Sequence, residues 1–190
     1  MPRKNKVEVF NYKKAKGNVA VIKFYALTAN KKWKLKQNFE FEKDDLTECN
    51  PKISDFNNDG FKDLTYISNI AARGANQVRR LFIYNKKKDE LILMKNSEDY
   101  PNMLYNKTLN CIDSFLVHGT SATLFLKIEG DRLKEFAGVG NDGFVRVAYL
   151  IGKNGKEKIL RKHKITEDEI YVRYRTFNPP RSYTVKELNQ

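Results

Sequence analysis

The sequence has 190 residues, with 36 lysines and arginines against 23 aspartates and glutamates, a formal net charge of +13, and 41% hydrophobic residues. This length is typical of one domain of roughly 100–200 residues, which can bury a core without disulfides. With 12% aromatic residues and two cysteines, the composition excludes a disordered chain and a disulfide-rich scaffold.

Almost every segment has the pattern of a β-strand, either alternating apolar and polar residues or forming a short β-branched and aromatic run. In chain order the predicted strands are 7–12, 19–27, 33–42, 64–67, 81–84, 91–94, 111–117, 122–128, 132–136, 144–151, 158–162 and 170–177. No window longer than about ten residues has a helical stripe. We therefore predict a single all-β domain over 1–190, an antiparallel meander of about 10–12 short strands, sandwich or small propeller-like, with almost no helix.

The ends of the chain carry no segment that points to a membrane. No apolar run approaches the ~20 residues of a membrane-spanning helix. Residues 1–6 also lack the apolar core of a signal peptide, so we expect either a cytosolic location or a leader that is absent from this sequence.

The positive charge is unevenly distributed. Residues 1–36 contain eleven basic residues and one acidic residue, whereas residues 37–69 contain three basic and eight acidic residues. A basic surface can bind nucleic acid or another polyanion. Because no nucleic-acid-binding motif accompanies the lysines, we treat this as an alternative and interpret most of them as a solvated surface that also protects edge strands.

One motif carries specific chemistry. Residues 55–63 have the pattern D-x-N-x-D-G-x-x-D, which supplies oxygen ligands at alternate positions and a glycine for the sharp turn of a calcium loop. The predicted calcium ligands are Asp55, Asn57, Asp59, the carbonyl of Phe61, and Asp63. A polar Asn-Asn-Asp-Gly turn without a metal is the alternative.

Signals of catalysis are weak. His118 and His163 are far apart in the sequence, and no nucleophile elbow accompanies Ser114 or Ser121. The two cysteines lack metal-site spacing, which leaves either isolated thiols or one bridge open. We therefore predict that the protein is not an enzyme.

The string from Pro51 to Leu64, followed by Gly74-Ala75-Asn76 and then by the strand Leu81 to Asn85, resembles a family of bacterial cell-envelope proteins. Its best-understood members are similar to the periplasmic lysozyme inhibitors of the PliI type and act as immunity proteins against peptidoglycan-cleaving toxins. The resemblance covers roughly residues 50–137. It implies a calcium loop, a periplasmic or cell-envelope location, and a protein partner that is a peptidoglycan hydrolase.

In such inhibitors a protruding loop enters the lysozyme cleft. The corresponding candidate here is His118-Gly119-Thr120-Ser121, between the strong strands 111–117 and 122–128. We therefore expect a calcium-stabilised binding protein that inhibits a lysozyme-like hydrolase. Two alternatives remain, a nucleic-acid or polyanion binder and a β-propeller-like carbohydrate-binding or adhesion module.

Overall fold

The computed structural model describes residues 4–15, 17–43 and 47–188, and most of them lie in antiparallel strands. The strands are β1 (Asn5–Lys14), β2 (Gly17–Leu27), β3 (Trp33–Lys43), β4 (Lys52–Ser54), β5 (Asp63–Ala71), β6 (Asn76–Asn85), β7 (Glu90–Leu93), β8 (Leu104–Asn106), β9 (Cys111–His118), β10 (Thr120–Glu129), β11 (Arg132–Asp142), β12 (Val145–Ile151), β13 (Glu157–Lys164), β14 (Tyr174–Phe177) and β15 (Pro180–Ser182). Helical structure in these described residues is limited to three 3₁₀ turns and a four-residue helix, namely Ala72–Gly74, Ser97–Asp99, Glu167–Glu169 and α1 (Val185–Leu188). The predicted all-β class is confirmed.

The strands form four sheets, and within each sheet neighbouring strands are also neighbours in sequence. Strands β1–β3 form the first sheet, β4–β7 the second, β8–β13 the third and β14–β15 the fourth. The tight turn predicted at Asn154-Gly155 joins β12 to β13, where the amide of Gly152 donates to the carbonyl of Lys156 at 2.9 Å. This is the meander that the regular spacing of strands and turns predicts.

The four-stranded sheet is covered on both faces. On one face Leu64 and Phe82 pack in a buried cluster with Ile22 and Phe24 of the first sheet. On the other face Leu81 packs with residues of the six-stranded sheet. Burial on both faces explains why the chain around Leu81 is a continuous apolar run and does not alternate.

The six-stranded sheet also has two apolar faces. Ile112 and Leu126 belong to the cluster shared with the four-stranded sheet. Their sequence neighbours Cys111 and Phe125 belong to a third cluster that contains Tyr174 of β14. The sheets therefore pack in series, and successive residues along one strand point into different layers.

Both cysteines are buried free thiols in different clusters, Cys49 beneath the first sheet and Cys111 beneath β14. The structure therefore contains no bridge between them. Burial raises the pKa of both thiols, that of Cys111 to about 12, which disfavours their reactive thiolate forms.

Two details of the predicted fold were wrong. The described residues form fifteen strands, more than the predicted 10–12, because three strands of only three residues (β4, β8 and β15) escape pattern recognition. The strand predicted over 170–177 begins only at Tyr174. The carbonyl of Ile170 accepts hydrogen bonds from the side chains of Ser121 and Asn141, which hold this segment outside any ladder.

No helix of the described residues has the length and apolar character needed to cross a bilayer.

Candidate functional site

The predicted calcium loop connects β4 to β5 and projects from the end of the four-stranded sheet. The carboxylate of Asp55 accepts hydrogen bonds from the amides of Asp59 (3.2 Å) and Gly60 (2.9 Å). The amide oxygen of Asn57 accepts from the amide of Asp59 at 3.2 Å, and the Asp59 carboxylate accepts from the amide of Phe61 at 2.8 Å. The loop thus brings Asp55, Asn57 and Asp59 together around its own backbone.

The turn itself requires glycine. Gly60 has a φ of +83°, in the left-handed region where other L-residues are strained, and a Cβ there would meet no other atom. Gly60 is therefore present for backbone conformation, and the turn at this residue lets the amide of Phe61 reach back to the Asp59 carboxylate. This is the role that position six has in a calcium loop.

Asp63 is placed differently from the other three side chains. It is fully buried at the start of β5, and its two oxygens accept hydrogen bonds from the amides of Phe56 (2.7 Å) and Tyr84 (2.9 Å). Burial raises the pKa of this carboxyl to about 6, with a further contribution from nearby Asp59 and Asp55, although the two amides lower it. Asp63, the ninth residue of the loop, therefore attaches the loop to β6 through the amide of Tyr84.

Carboxylate and amide oxygens are the ligands that calcium prefers, and each carboxylate oxygen has a second lone pair beyond the one used by an amide. In the described part of the chain, no group of three or more His, Cys, Asp or Glu side chains is arranged to hold a metal ion. Asp55, Asn57 and Asp59 suit a calcium ion because their side-chain oxygens converge on one loop. Calcium binding itself stays a prediction.

The second predicted site is the β9–β10 hairpin, and its connection is shorter than the sequence suggested. His118 ends β9 and pairs directly with Thr120, which begins β10, so only Gly119 lies between the strands. Gly119 has a φ of +69° and its carbonyl accepts a 3.0 Å hydrogen bond from the hydroxyl of Tyr171. His118 and Gly119 are exposed and Thr120 is half-buried.

Ser121 does not belong to the exposed part of this hairpin. It is buried, and its hydroxyl donates to the carbonyl of Ile170 at 2.5 Å. Together with His118 and Thr120 it lines a shallow pocket of about 250 Å³ that also includes Asn141 and Tyr149. Only the first three residues of the predicted binding loop are therefore available to a partner at the tip.

Neither serine near His118 is arranged as a nucleophile. Ser114 is fully buried and donates to the carbonyl of Pro101 at 2.6 Å, and Ser121 donates to a backbone carbonyl as well. His163 lies on β13, in a different part of the six-stranded sheet. These side chains form no Ser–His pair.

The basic N-terminal segment does not form a purely basic surface. The outer face of the first sheet carries Tyr25 and the half-exposed Trp33, and the ammonium of Lys6 lies 4.6 Å from the ring centre of Tyr25. The same face carries acidic side chains, since Glu8 pairs in register with Lys23, and Glu8 also forms a 2.8 Å ion pair with Lys6. Positive and negative charges are therefore interleaved there.

Sequence patterns missed one charged residue with an unusual position. Arg79, on β6, is only 5% exposed, and none of the described acidic side chains forms an ion pair with it. One sequence feature could have predicted its burial. Arg79 lies two residues before the fully buried Leu81, which places both side chains on the same face of the strand.

No family model matches the chain, and no curated protein matches it. A solved structure described as that of a Xanthomonas type IV secretion system related protein aligns with 96% of this chain and 89% of its own. The identity is 10% and the TM-score is 0.42.

Proposed function

We propose that the protein is a non-enzymatic binding protein of the bacterial cell envelope that inhibits a lysozyme-like peptidoglycan hydrolase and is stabilised by calcium. The observation that carries the proposal is the rigid support of the β9–β10 hairpin tip. Tyr171 donates to the carbonyl of Gly119, and the buried hydroxyl of Ser121 donates to the carbonyl of Ile170, which anchors the start of β10. A tip that is ordered before binding loses little conformational entropy when it enters a cleft.

The β9 side of the same hairpin is anchored as well. The side-chain amide of Asn76 donates to the carbonyl of Val117 at 2.9 Å, and its oxygen accepts from the amide of Val117 at 3.0 Å. Asn76 is buried at the start of β6. Both strands that lead to His118 and Thr120 are thus fixed by contacts with other parts of the molecule.

The charge of the protein suits the proposed target. Hydrolases that cleave glycosidic bonds in the usual way present two catalytic carboxyl groups in their clefts. A protein with a net charge of +13 is attracted to such an acidic cleft, and the association rate should fall as salt is added.

The calcium part of the proposal rests on the loop between β4 and β5. Asp55, Asn57 and Asp59 direct oxygens to the same short stretch of backbone, and Asp63 fixes the end of the loop. Burial is the main cause of the raised pKa of Asp63, and the nearby Asp59 and Asp55 charges add to it; a cation bound among these oxygens would offset that added repulsion. Binding to the native state alone would then stabilise the fold by mass action.

A second candidate function is carbohydrate binding, and exposed aromatic side chains favour it. Tyr12 and Trp33 are 44% and 43% exposed on the outer face of the first sheet, and Phe10 stacks on Tyr12 with ring centres 5.7 Å apart. Flat apolar rings of this kind are suited to sugar faces. Nucleic-acid binding is less favoured than carbohydrate binding, because acidic side chains are interleaved with the basic ones on that face.

The deciding experiment measures the activity of several hydrolases on peptidoglycan in the presence of the purified protein. The panel contains animal lysozymes of different types and bacterial lytic enzymes, each assayed in millimolar calcium and in EDTA. We expect inhibition of at least one hydrolase, stronger in calcium than in EDTA. If no hydrolase is inhibited while the protein co-sediments with purified peptidoglycan, the carbohydrate-binding candidate replaces the inhibitor.

A further inference from the structure

The four-stranded sheet and the edge of the six-stranded sheet enclose a cleft of about 680 Å³ that the proposed function does not use. Its polar wall comes from β4, β5 and β6, with Arg173 at one side. Its apolar wall comes from Phe56 of the β4–β5 loop, from the segment around β8 and from α1. The lining residues are Lys52, Ile53, Ser54, Phe56, Thr65, Gln77, Arg79, Asn102, Met103, Leu104, Tyr105, Arg173 and Leu188. We propose that this cleft binds a small organic carboxylate with an apolar body.

Among the described residues, three cationic side chains and no aspartate or glutamate line the cleft. Arg173 is already neutralised, because its guanidinium forms an ion pair with the buried Asp113. Lys52 and Arg79 have no ion pair with a described acidic side chain. Two positive charges therefore face this space without a counter-charge among the described residues.

Arg79 is the more informative of the two. Its Nε donates to the hydroxyl of Thr65 at 3.2 Å and its Nη2 donates to the carbonyl of Asn50 at 2.6 Å, which fix the orientation of the guanidinium. Its Nη1 is buried and has no hydrogen-bond partner among the residues that the structure describes. A buried guanidinium without an acid is costly, and burial lowers its pKa. An anionic ligand would remove that cost.

Strand register explains why the polar groups converge. Lys52 on β4 pairs with Thr65 on β5, and Thr65 pairs with Leu81 on β6, two residues after Arg79. Side chains at paired positions, and at positions two apart on one strand, share a face of a sheet. Lys52, Thr65 and Arg79 therefore lie on one face across three strands, and two of the three are cationic. Ser54 and Gln77, two residues from Lys52 and Arg79 on the same strands, add neutral donors to this face.

The shape and lining of the cleft select the class of anion. Phe56, Met103, Leu104, Tyr105 and Leu188 make one wall apolar, which suits a hydrocarbon or aromatic body. A carboxylate matches the planar fork of a guanidinium. A nucleic-acid backbone would require an open basic track rather than a cleft with an apolar wall.

The test uses isothermal titration calorimetry of the full chain with four probes, namely 3-phenylpropionate, hexanoate, the neutral hexanamide and inorganic phosphate. We expect saturable binding of at least one of the two carboxylates and none of hexanamide. Arg79→Gln should weaken the carboxylate by about tenfold or more, the loss that corresponds to ~1.4 kcal/mol.

Arg79 is buried, so its variant can lose stability, and variants of the exposed strand β4 keep the test decisive. Lys52→Gln removes a charge and Ser54→Asp adds a repelling carboxylate, and both should weaken binding in a protein that still folds. Lys153→Gln, in the β12–β13 turn and away from the cleft lining, removes the same charge as Lys52→Gln and should leave binding unchanged. The proposal is overturned if neither carboxylate binds, if phosphate binds more tightly than both, or if Lys52→Gln and Ser54→Asp bind like the parent.

Discussion

Arg173 forms an ion pair with Asp113, a residue 60 positions earlier, and its Nε lies 2.8 Å from the Asp113 carboxylate. The Asp113 side chain is fully buried and that of Arg173 is 10% exposed. The same carboxylate accepts a 2.9 Å hydrogen bond from Asn106 and another from the hydroxyl of Tyr183. One buried acid thus joins β8, β9 and the C-terminal segment.

Removing one partner of this pair should be strongly destabilising. In Arg173→Ala the Asp113 charge stays buried with only neutral donors, which typically costs about 3–5 kcal/mol in the free energy of unfolding. Urea unfolding followed by circular dichroism measures the loss. The control is Lys134→Ala, because its ion pair with Glu129 is exposed and is worth less than about 1 kcal/mol. Equal losses in the two variants would show that burial does not determine how much the Arg173–Asp113 pair contributes to the free energy of unfolding.

The predicted calcium loop contains aspartates with two different roles. Asp63 fixes the loop to the sheet, whereas Asp59 is a predicted calcium ligand. Asp63→Asn replaces one acceptor oxygen by an NH₂ group, so the amide of Phe56 or Tyr84 loses its partner, at a cost of about 1–3 kcal/mol. We expect a lower melting temperature in EDTA as well as in calcium.

Asp59 is exposed, so Asp59→Ala should leave the melting temperature in EDTA nearly unchanged and should remove the increase that calcium gives the parent. Scanning calorimetry of both variants in EDTA and in millimolar calcium measures these effects. A parent that melts at one temperature in both conditions would end the calcium proposal. An Asp63→Asn variant as stable as the parent in EDTA would contradict the structural role of Asp63.

Glu135 should make stability depend on pH. Burial raises the pKa of this carboxyl above the ordinary 4.5, although the hydroxyl of Tyr149 donates to it at 2.8 Å and lowers it. The native state therefore holds the proton more tightly than the unfolded state, so stability from this group is present below about pH 4.5 and is lost as the pH rises through the raised value.

Glu135→Gln cannot titrate, so the variant should gain stability relative to the parent as the pH increases from 4 to 7. Urea midpoints at several pH values measure this. Glu129→Gln is the control for removing one acidic charge from an exposed site on the same hairpin. A difference between Glu135→Gln and the parent that is constant with pH would contradict the prediction.

The Tyr149 ring also lies over a glycine of the neighbouring strand. A Cβ on Gly138 would be 2.3 Å from the Tyr149 hydroxyl oxygen, so Gly138→Ala must displace the ring from Glu135. We expect a loss of about 1–3 kcal/mol, measured by urea unfolding. Gly140→Ala is the matched control, since its Cβ would meet Ala122 at an ordinary 3.6 Å. Its stability should stay within about 1 kcal/mol of the parent, and two equally stable variants would show that Tyr149 adapts freely.

The sequence predicts local strand patterns well because alternation is a local property. The strand predicted over 33–42 is β3, and the predicted turn at Asn154-Gly155 joins β12 and β13. The segment 170–173 shows the same alternation without forming a strand. Its conformation depends on Ser121 and Asn141, 49 and 29 residues earlier, whose side chains donate to the carbonyl of Ile170. Contacts at such a distance along the chain leave no trace in a local pattern.

The candidate sites likewise contain some features that the local sequence predicts and others that depend on residues far along the chain. The spacing of Asp55, Asn57 and Asp59 predicts their convergence, because all three lie in one loop. The inward orientation of Asp63 depends on the amide of Tyr84, 21 residues later, and could not be predicted from spacing. Arg79 was missed for a related reason, since only the pairing of β4, β5 and β6 places it beside Lys52 and Thr65.

The β9–β10 hairpin gives a direct test of the proposed inhibition. Gly119→Asp adds a carboxylate to the tip, where it would repel the acidic cleft of a hydrolase, and Thr120→Trp adds bulk beside it. Gly119 has a φ of +69°, so an aspartate there is strained by about 1–2 kcal/mol. A strain of this size should lower the melting temperature of a chain of this length by roughly 2–8 °C.

The matched control is Gly155→Asp, in the β12–β13 turn. Gly155 has a φ of +75°, and a Cβ at either glycine would meet no other atom within 4 Å, so the two variants carry similar strain and the same change in charge. We expect Gly119→Asp and Thr120→Trp to lose hydrolase inhibition and Gly155→Asp to keep it, when all are assayed against a hydrolase that the parent inhibits. Gly119→Asp and Gly155→Asp should melt at similar temperatures. If both tip variants inhibit as well as Gly155→Asp does, the hairpin tip is not the contact surface, and inhibition must come from another face of the protein.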